Sequence, residues 1–182
     1  MGEALRGKVA VVLHEPHLGG ATRSVLRIVP LLQRLGWRFV FWVPRPSAVF
    51  DELVSAGFDV QGAPRYIEYS LRAWRLPPGP RRRLGAVPPY LRAFREFVRR
   101  RSPALVHANS ILTVAEALVA RTQGVPTLLH VHEMVPRGAR GHLLRRTAWR
   151  RLDEVVAVSR ASAAALSYGG AVPRIVYEGA PV

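Results

Sequence analysis

Residues 8–44 read KVAVVLHEPHLGGATRSVLRIVPLLQRLGWRFVFWVP. Lys8–His14 is continuously apolar after its lysine, the pattern of a strand covered on both faces. Thr22–Leu35 then sets Val25, Ile28, Val29, Leu32 and Leu35 at helical spacing, and Gly36 stands where a glycine ends a helix in a left-handed turn. Arg38–Val43 returns to an apolar run and predicts a second strand. A buried strand, an amphipathic helix and another buried strand in immediate succession describe a parallel β-α-β unit.

Working outward, the same alternation repeats. Residues 48–56 predict a short helix closed by Gly57, and Phe58–Val60 a brief third strand. Residues 61–87, with GAPR and LPPGPRRR, predict a long basic loop, the weakest part of the pattern and of a length that is often functional. Pro89–Arg101 predicts a helix with prolines in its first turn, where Leu91, Phe94, Phe97 and Val98 form one stripe. Ala104–His107 is the next expected strand, then a helix over Ile111–Gln123 capped by Ser110, and a strand at Thr127–Val131. A helix over Gly141–Arg151, a strand at Glu154–Val158, a helix over Arg160–Tyr168 capped by Ser159, and a strand at Arg174–Tyr177 complete the series. The expected architecture is α/β: one domain over residues 1–182, a Rossmann-like open parallel sheet with helices on both faces. In such sheets ligands bind outside the carboxyl ends of the strands, where the strand order reverses. His14, His107, His132 with Glu133, and Ser159 fall at those ends.

Composition narrows the chemistry. The chain of 182 residues has no cysteine, which excludes disulfides, thiolate catalysis and cysteine-ligated metals. No apolar run approaches the roughly 20 residues of a membrane span. The five apolar residues after Lys8 are short for a signal-peptide core, so a first strand and a cytoplasmic chain are expected. A net charge of +15 rests on 26 arginines and one lysine, a bias that partly reflects a GC-rich coding sequence. The charge is nevertheless clustered: eleven arginines lie between Arg65 and Arg101, and six between Arg137 and Arg151 with no acid among them. Such fields attract phosphate, nucleic acid or anionic lipid.

The turn HEPHLGGATRS, residues 14–24, lacks GxGxxG, and no GxxxxGK[ST] occurs. Gly19-Gly20 before a helix either makes a tight turn or lets backbone N–H groups approach a phosphate. HVHE, residues 130–133, invites a zinc reading, but HExxH is absent and the four ligands of a closed site are not in view. His130, inside LLHV, reads as a core histidine, and His132 at the strand end is better placed to face a ligand. Glu133 is suited to a ligand hydroxyl or to a neighbouring arginine, and spacing does not separate these roles.

Several stretches, in order, resemble the N-terminal domain of the retaining GT-B-fold glycosyltransferases known as group 1 or family 4. GGATRSVLRIVPLLQRLGWRFVFWVP is similar to that family's double-glycine loop, first helix and second strand. SPALVHANS, VPTLLHVHE, VVAVSRASAAAL and IVYEGAPV resemble its later strands and strand ends. The resemblance implies one half of a two-domain enzyme that transfers a sugar, with retention, from a nucleotide-sugar to an acceptor. It implies no tightly bound cofactor and no metal. His132, less so His130, would correspond to the histidine near the reacting sugar, with Glu133 supporting it or touching the acceptor. Gly19, Gly20, Arg23 and Ser159 would lie on the donor-phosphate side, and His17, His107 and Asn109 on the acceptor side. The chain departs from the family where Ala104 replaces an aspartate and Glu178-Gly179 replaces Asn-Gly. The donor-binding C-terminal domain has no counterpart before Val182, so the expectation is an N-terminal half, inactive alone.

The implied acceptor is a sugar, a lipid or a small molecule. Arg81, Arg82, Arg83 and the 89–101 helix offer a surface for the inner face of an anionic membrane, although the same stripe equally suits a sheet-covering helix. Other readings are a non-catalytic sugar- or subunit-binding domain, a GT-B-fold sugar-nucleotide epimerase, and a basic nucleic-acid-binding module. The last is disfavoured because no helix-turn-helix, zinc-finger, RRM or KH signature appears.

Overall fold

The computed structural model describes residues 6–63 and 80–177. The strands are β1 (Gly7–Val12), β2 (Trp37–Pro44), β3 (Asp59–Ala63), β4 (Leu105–Ala108), β5 (Thr127–Val131), β6 (Glu154–Ala157) and β7 (Arg174–Ile175). The helices are α1 (Gly20–Arg34), α2 (Ala48–Ser55), α3 (Pro80–Arg101), α4 (Val114–Thr122), α5 (Ala139–Arg151) and α6 (Arg160–Leu166). All strand pairs are parallel, in the order β3-β2-β1-β4-β5-β6-β7. The chain begins in the middle, steps outward to β3, and returns through α3 to lay β4 beside β1, with Val11 opposite His107. The order therefore reverses between β1 and β4, and a crevice opens at their carboxyl ends.

β1 and β2 are buried on both faces along most of their length. Val9, Val11, Phe39 and Phe41 pack with Val25 and Val29 of α1 and Val49 and Leu53 of α2. Ala10, Val12, Val40 and Trp42 pack against Tyr90, Phe94, Phe97 and Val98 of α3 on the opposite face. Leu129, Val131 and Val155 carry that second layer outward beneath α4, α5 and α6.

Several expectations are corrected in detail. α1 covers the sheet with Thr22, Val25 and Val29, whereas Ile28 and Leu35, expected in its core stripe, are 41% and 52% exposed. At 100° per residue they lie roughly 60° and 80° around the helix from Val25, off the line of contact. The helix after the long loop begins at Pro80 instead of Pro89, so Arg81, Arg82 and Arg83 are on α3 and not in a loop. Pro88 and Pro89 lie inside that helix. They forgo two backbone hydrogen bonds, and the following turns are anchored by Trp42, whose ring lies 5.3 Å from Phe94 and 5.1 Å from Phe97. The expected helix over Ile111–Gln123 divides into a 3-10 turn, Ile111–Thr113, followed by α4. The rest of the expected loop, 64–79, and the Glu178-Gly179 pair lie outside the described residues.

The stripe on α3 faces the core. Phe94, Phe97 and Val98 are buried, so they are not available to a lipid surface in the folded chain. A buried chain of hydrogen bonds fixes α3 as well: Trp42 Nε1 donates to the Tyr90 hydroxyl at 2.9 Å, which donates to Glu116 Oε1 at 2.6 Å.

Candidate active site

β4 lies between β1 and β5, so the residues that follow these three strands share one edge. Asn109 follows β4 and ties the edge together. Its backbone N–H donates to Val12 O of β1 at 3.2 Å, and its side-chain Nδ2 donates to Ala21 O in the first turn of α1 at 3.0 Å. That second bond fixes the amide orientation and turns Oδ1 toward His132 Nε2, 3.0 Å away. An amide oxygen only accepts, so His132 carries its proton on Nε2, and its lone pair is on Nδ1 while the ring is neutral.

Glu133 grips the other side. Its carboxylate accepts from the Ser110 hydroxyl, from Ile111 N at 3.2 Å and from the His132 backbone N–H at 3.3 Å. Ser110 also caps the 3-10 turn by accepting from Leu112 N at 3.0 Å. His14 Nε2, from the end of β1, stands 4.0 Å from Glu133 Oε1. Burial depresses the pKa of both His14 and His132. Glu133 pushes each back up, while His14 lowers His132 further. Desolvation wins in both, so the two rings tend to the neutral form.

Beneath this edge runs a row of imidazoles. The His107 and His130 rings stack at 5.5 Å, and His130 lies 4.4 Å from His132. His107 is 7% exposed and its pKa is held down to about 3, first by burial and then by His130 and His132. It backs the edge from within the sheet and does not line it. His130 is buried, as its place in an apolar run predicts.

The glycine loop joins the same edge through Asn109. Gly19 is the N-cap of α1 and offers no side-chain cap, and the first turn holds no acid. The helix start thus leaves backbone N–H groups and the positive dipole end for an anion. The two glycines differ. A Cβ on Gly19 would lie 2.1 Å from Glu15 Oε2, the oxygen that accepts from Thr22 Oγ1, whereas a Cβ on Gly20 would meet nothing within 4 Å. His17 and Arg23 are exposed, on the turn and on the outer face of α1. The Ser159 hydroxyl is engaged in a capping box with Ser162 at the start of α6. His132, Glu133, Asn109 and the glycine turn are therefore brought together, and His17, Arg23 and Ser159 are set around them. His14 was placed at this edge by the sequence but given no role, and Ser110 was read only as a helix cap; His14 follows β1 by two residues, directly before the glycine turn. Among the described residues no group of three or more His, Asp or Glu side chains is placed to hold a metal ion.

Residues 18–179 match Glycosyltransferase Family 4. A comparison with curated proteins finds no match. Among solved structures, HepE of Anabaena in complex with UDP and glucose superposes with a TM-score of 0.71 at 15% identity, over 96% of this chain and 45% of that one. MurG of Acinetobacter baumannii gives 0.64 at 13% identity, over 96% and 46%. A sucrose-phosphate synthase piece from Thermosynechococcus elongatus gives 0.57 at 17% identity, over 96% and 89%. At such identities the likeness establishes the fold, one Rossmann-like half of a GT-B architecture. The chain spans less than half the length of the HepE and MurG chains.

Proposed function

This chain belongs to Glycosyltransferase Family 4, and we propose that it forms the acceptor-side, N-terminal half of an enzyme transferring a sugar from a nucleotide-sugar to an acceptor with retention. The observation that carries the proposal is His132: a mainly neutral imidazole, locked by Asn109 in one tautomer, at the reversal of strand order and beside an uncapped helix start. A neutral ring with a fixed orientation suits hydrogen bonding to a sugar or acceptor hydroxyl, and it does not place a positive charge beside a developing oxocarbenium ion. Glu133 positions it through the backbone and holds Ser110 and Ile111 in register. The uncapped first turn of α1 suits the donor's phosphate, with Gly20 leaving room for it.

In the proposed step the acceptor oxygen bonds to the anomeric carbon as the bond from that carbon to the phosphate oxygen breaks. The acceptor proton passes to the departing phosphate on the same face, and no metal takes part. A second Rossmann-like domain supplies the main grip on the nucleotide, so the half described here is inactive alone. No helix among the described residues is long and apolar enough to cross a membrane. The outer face of α3 presents Arg92 and Arg95, which have no carboxylate partner among the described residues, and this supports electrostatic contact with an anionic inner membrane face.

The test is nucleotide release and transfer by the full-length enzyme. His132→Ala lowers kcat by roughly 100-fold or more, within the range expected for removing one preorganised electrostatic group, and leaves the circular dichroism unchanged. Turnover near the wild-type value removes His132 from the site.

A further inference from the structure

A pocket of about 550 Å³ opens between the β5–α5 loop, α5 and α6. Its lining begins at Met134, the residue after Glu133, and includes Arg137, Arg145, Ala161, Ala164 and Ala165. The pocket is thus continuous along the chain with the proposed catalytic edge, and its size falls in the range of small-molecule sites.

Two features make it a built site. Arg145 is held in place, because its Nη1 donates to Pro136 O at 3.2 Å and to Ala165 O at 3.3 Å. Nη1 spends both its hydrogens on those carbonyls, which leaves the Nε and Nη2 donors and the full charge. Neither Arg145 nor the exposed Arg137 has a carboxylate partner among the described residues. The walls are equally specified. Gly141 lets the loop lie against α5, since a Cβ there would fall 1.7 Å from Pro136 O. Trp149 Nε1 donates to Leu166 O at 2.9 Å and joins α5 to α6 beyond the pocket. Ala161, Ala164 and Ala165 recur at helical spacing and give α6 a flat apolar wall, faced by the 60%-exposed Met134.

Two arginines without acidic partners beside an alanine wall and a flexible thioether match an anion joined to a short apolar segment. The Arg145 guanidinium lies against Pro136 of the loop, three residues after Glu133, so a short molecule spans from it toward the sheet edge. We propose that this pocket recognises the acceptor through an anionic group, phosphate or carboxylate, carried on a short apolar segment. The reactive hydroxyl then returns past Glu133 toward His132. This inference rests on the transferase reading and names the acceptor class for it.

Binding is tested without any transfer step. Hexyl phosphate, hexanoate, inorganic phosphate and hexyl glucoside are titrated into the chain, with amide shifts of Ala161–Ser167 as the readout. Hexyl phosphate or hexanoate is expected to bind at least ten times more tightly than inorganic phosphate or the neutral glucoside. Arg137→Gln and Ala164→Leu, both at exposed positions, are each expected to weaken it five-fold or more with the fold intact. Equal binding of inorganic phosphate overturns the apolar half of the proposal, equal binding of hexyl glucoside overturns the anionic half, and no binding overturns both. Cosedimentation with phosphatidylglycerol vesicles that both variants abolish identifies a lipid headgroup as the source. Soluble-probe binding without cosedimentation identifies a free metabolite. Loss of transfer in the His132 experiment leaves these titrations unaffected, so the two readings fail separately.

Discussion

Glu116→Gln tests the energetics of the interior on which the site is mounted. Glu116 is 1% exposed, and burial raises its pKa from an ordinary 4.5 to about 7 against the opposing bond from Tyr90. Its Oε2 has no partner among the described residues. The folded state therefore holds this proton more tightly than the unfolded state. Stability from this group is complete below pH 4.5, declines as the unfolded carboxyl ionises first, and levels off above pH 7. The full loss is the difference between the two values at 1.36 kcal/mol per pH unit, about 3 kcal/mol. Glutamine has the same shape, keeps an oxygen for the Tyr90 hydroxyl and does not ionise. Urea unfolding of both proteins from pH 4 to pH 8 should show the variant gaining about 3 kcal/mol relative to wild type across that interval. A relative stability that stays constant with pH refutes the reasoning, and would mean that water or a partner reaches Glu116 when it ionises.

His107 titrates with the opposite sense. Its pKa falls from 6.5 to about 3 on folding, so its contribution is complete above pH 6.5 and is lost as pH drops toward 3, on the order of 5 kcal/mol in all. His107→Leu should move the midpoint of acid unfolding, followed by circular dichroism, to lower pH; an unchanged midpoint shows that His107 is not buried neutral. At the glycine turn, Gly20→Ala should leave thermal stability equal or raised by up to about 1 kcal/mol while weakening donor binding in the full enzyme. Gly19→Ala should destabilise by displacing Glu15 from Thr22. Calorimetry and donor titration on the two variants separate these effects, and identical behaviour of the pair contradicts the assigned geometry.

Much of the fold was legible because buried parallel strands leave uninterrupted apolar runs. KVAVVLH and RFVFWV each overlap an observed strand, TLLHV coincides with one, and all seven expected strands appear, six of them with shifted ends. The errors share a cause. Helical periodicity shows which residues are apolar but not how wide the contact is, so Ile28 and Leu35 were assigned to the core although α1 touches the sheet along a narrower line. Pro88 and Pro89 read as a helix start because proline favours the first turn, yet the aromatic packing on Trp42 holds a helix that contains both. At the candidate site, the place of His132 at the sheet edge was legible from its position directly after the fifth strand. Its partners were not, because Asn109 and Ser110 lie 23 residues before His132 and Glu133 and meet them only when β4 and β5 are neighbours. Strand order is a property of the whole sheet, and no local pattern encodes it.

The same neighbouring relation bears on what Glu133 can do. The Glu133 side chain accepts from the Ser110 hydroxyl, Ile111 N and His132 N, so it is pinned between the β4 and β5 ends. Moving it away would break bonds that hold those ends together. Glu133 therefore suits a fixed group that orients His132. The tautomer of His132 is set by Asn109 and not by Glu133. In the proposed transferase, the division of labour at this edge follows from which groups already spend their hydrogen bonds on the fold. Glu133 is committed to three donors, Asn109 to Ala21 and His132, and the backbone at Gly20 has open space where a ligand enters.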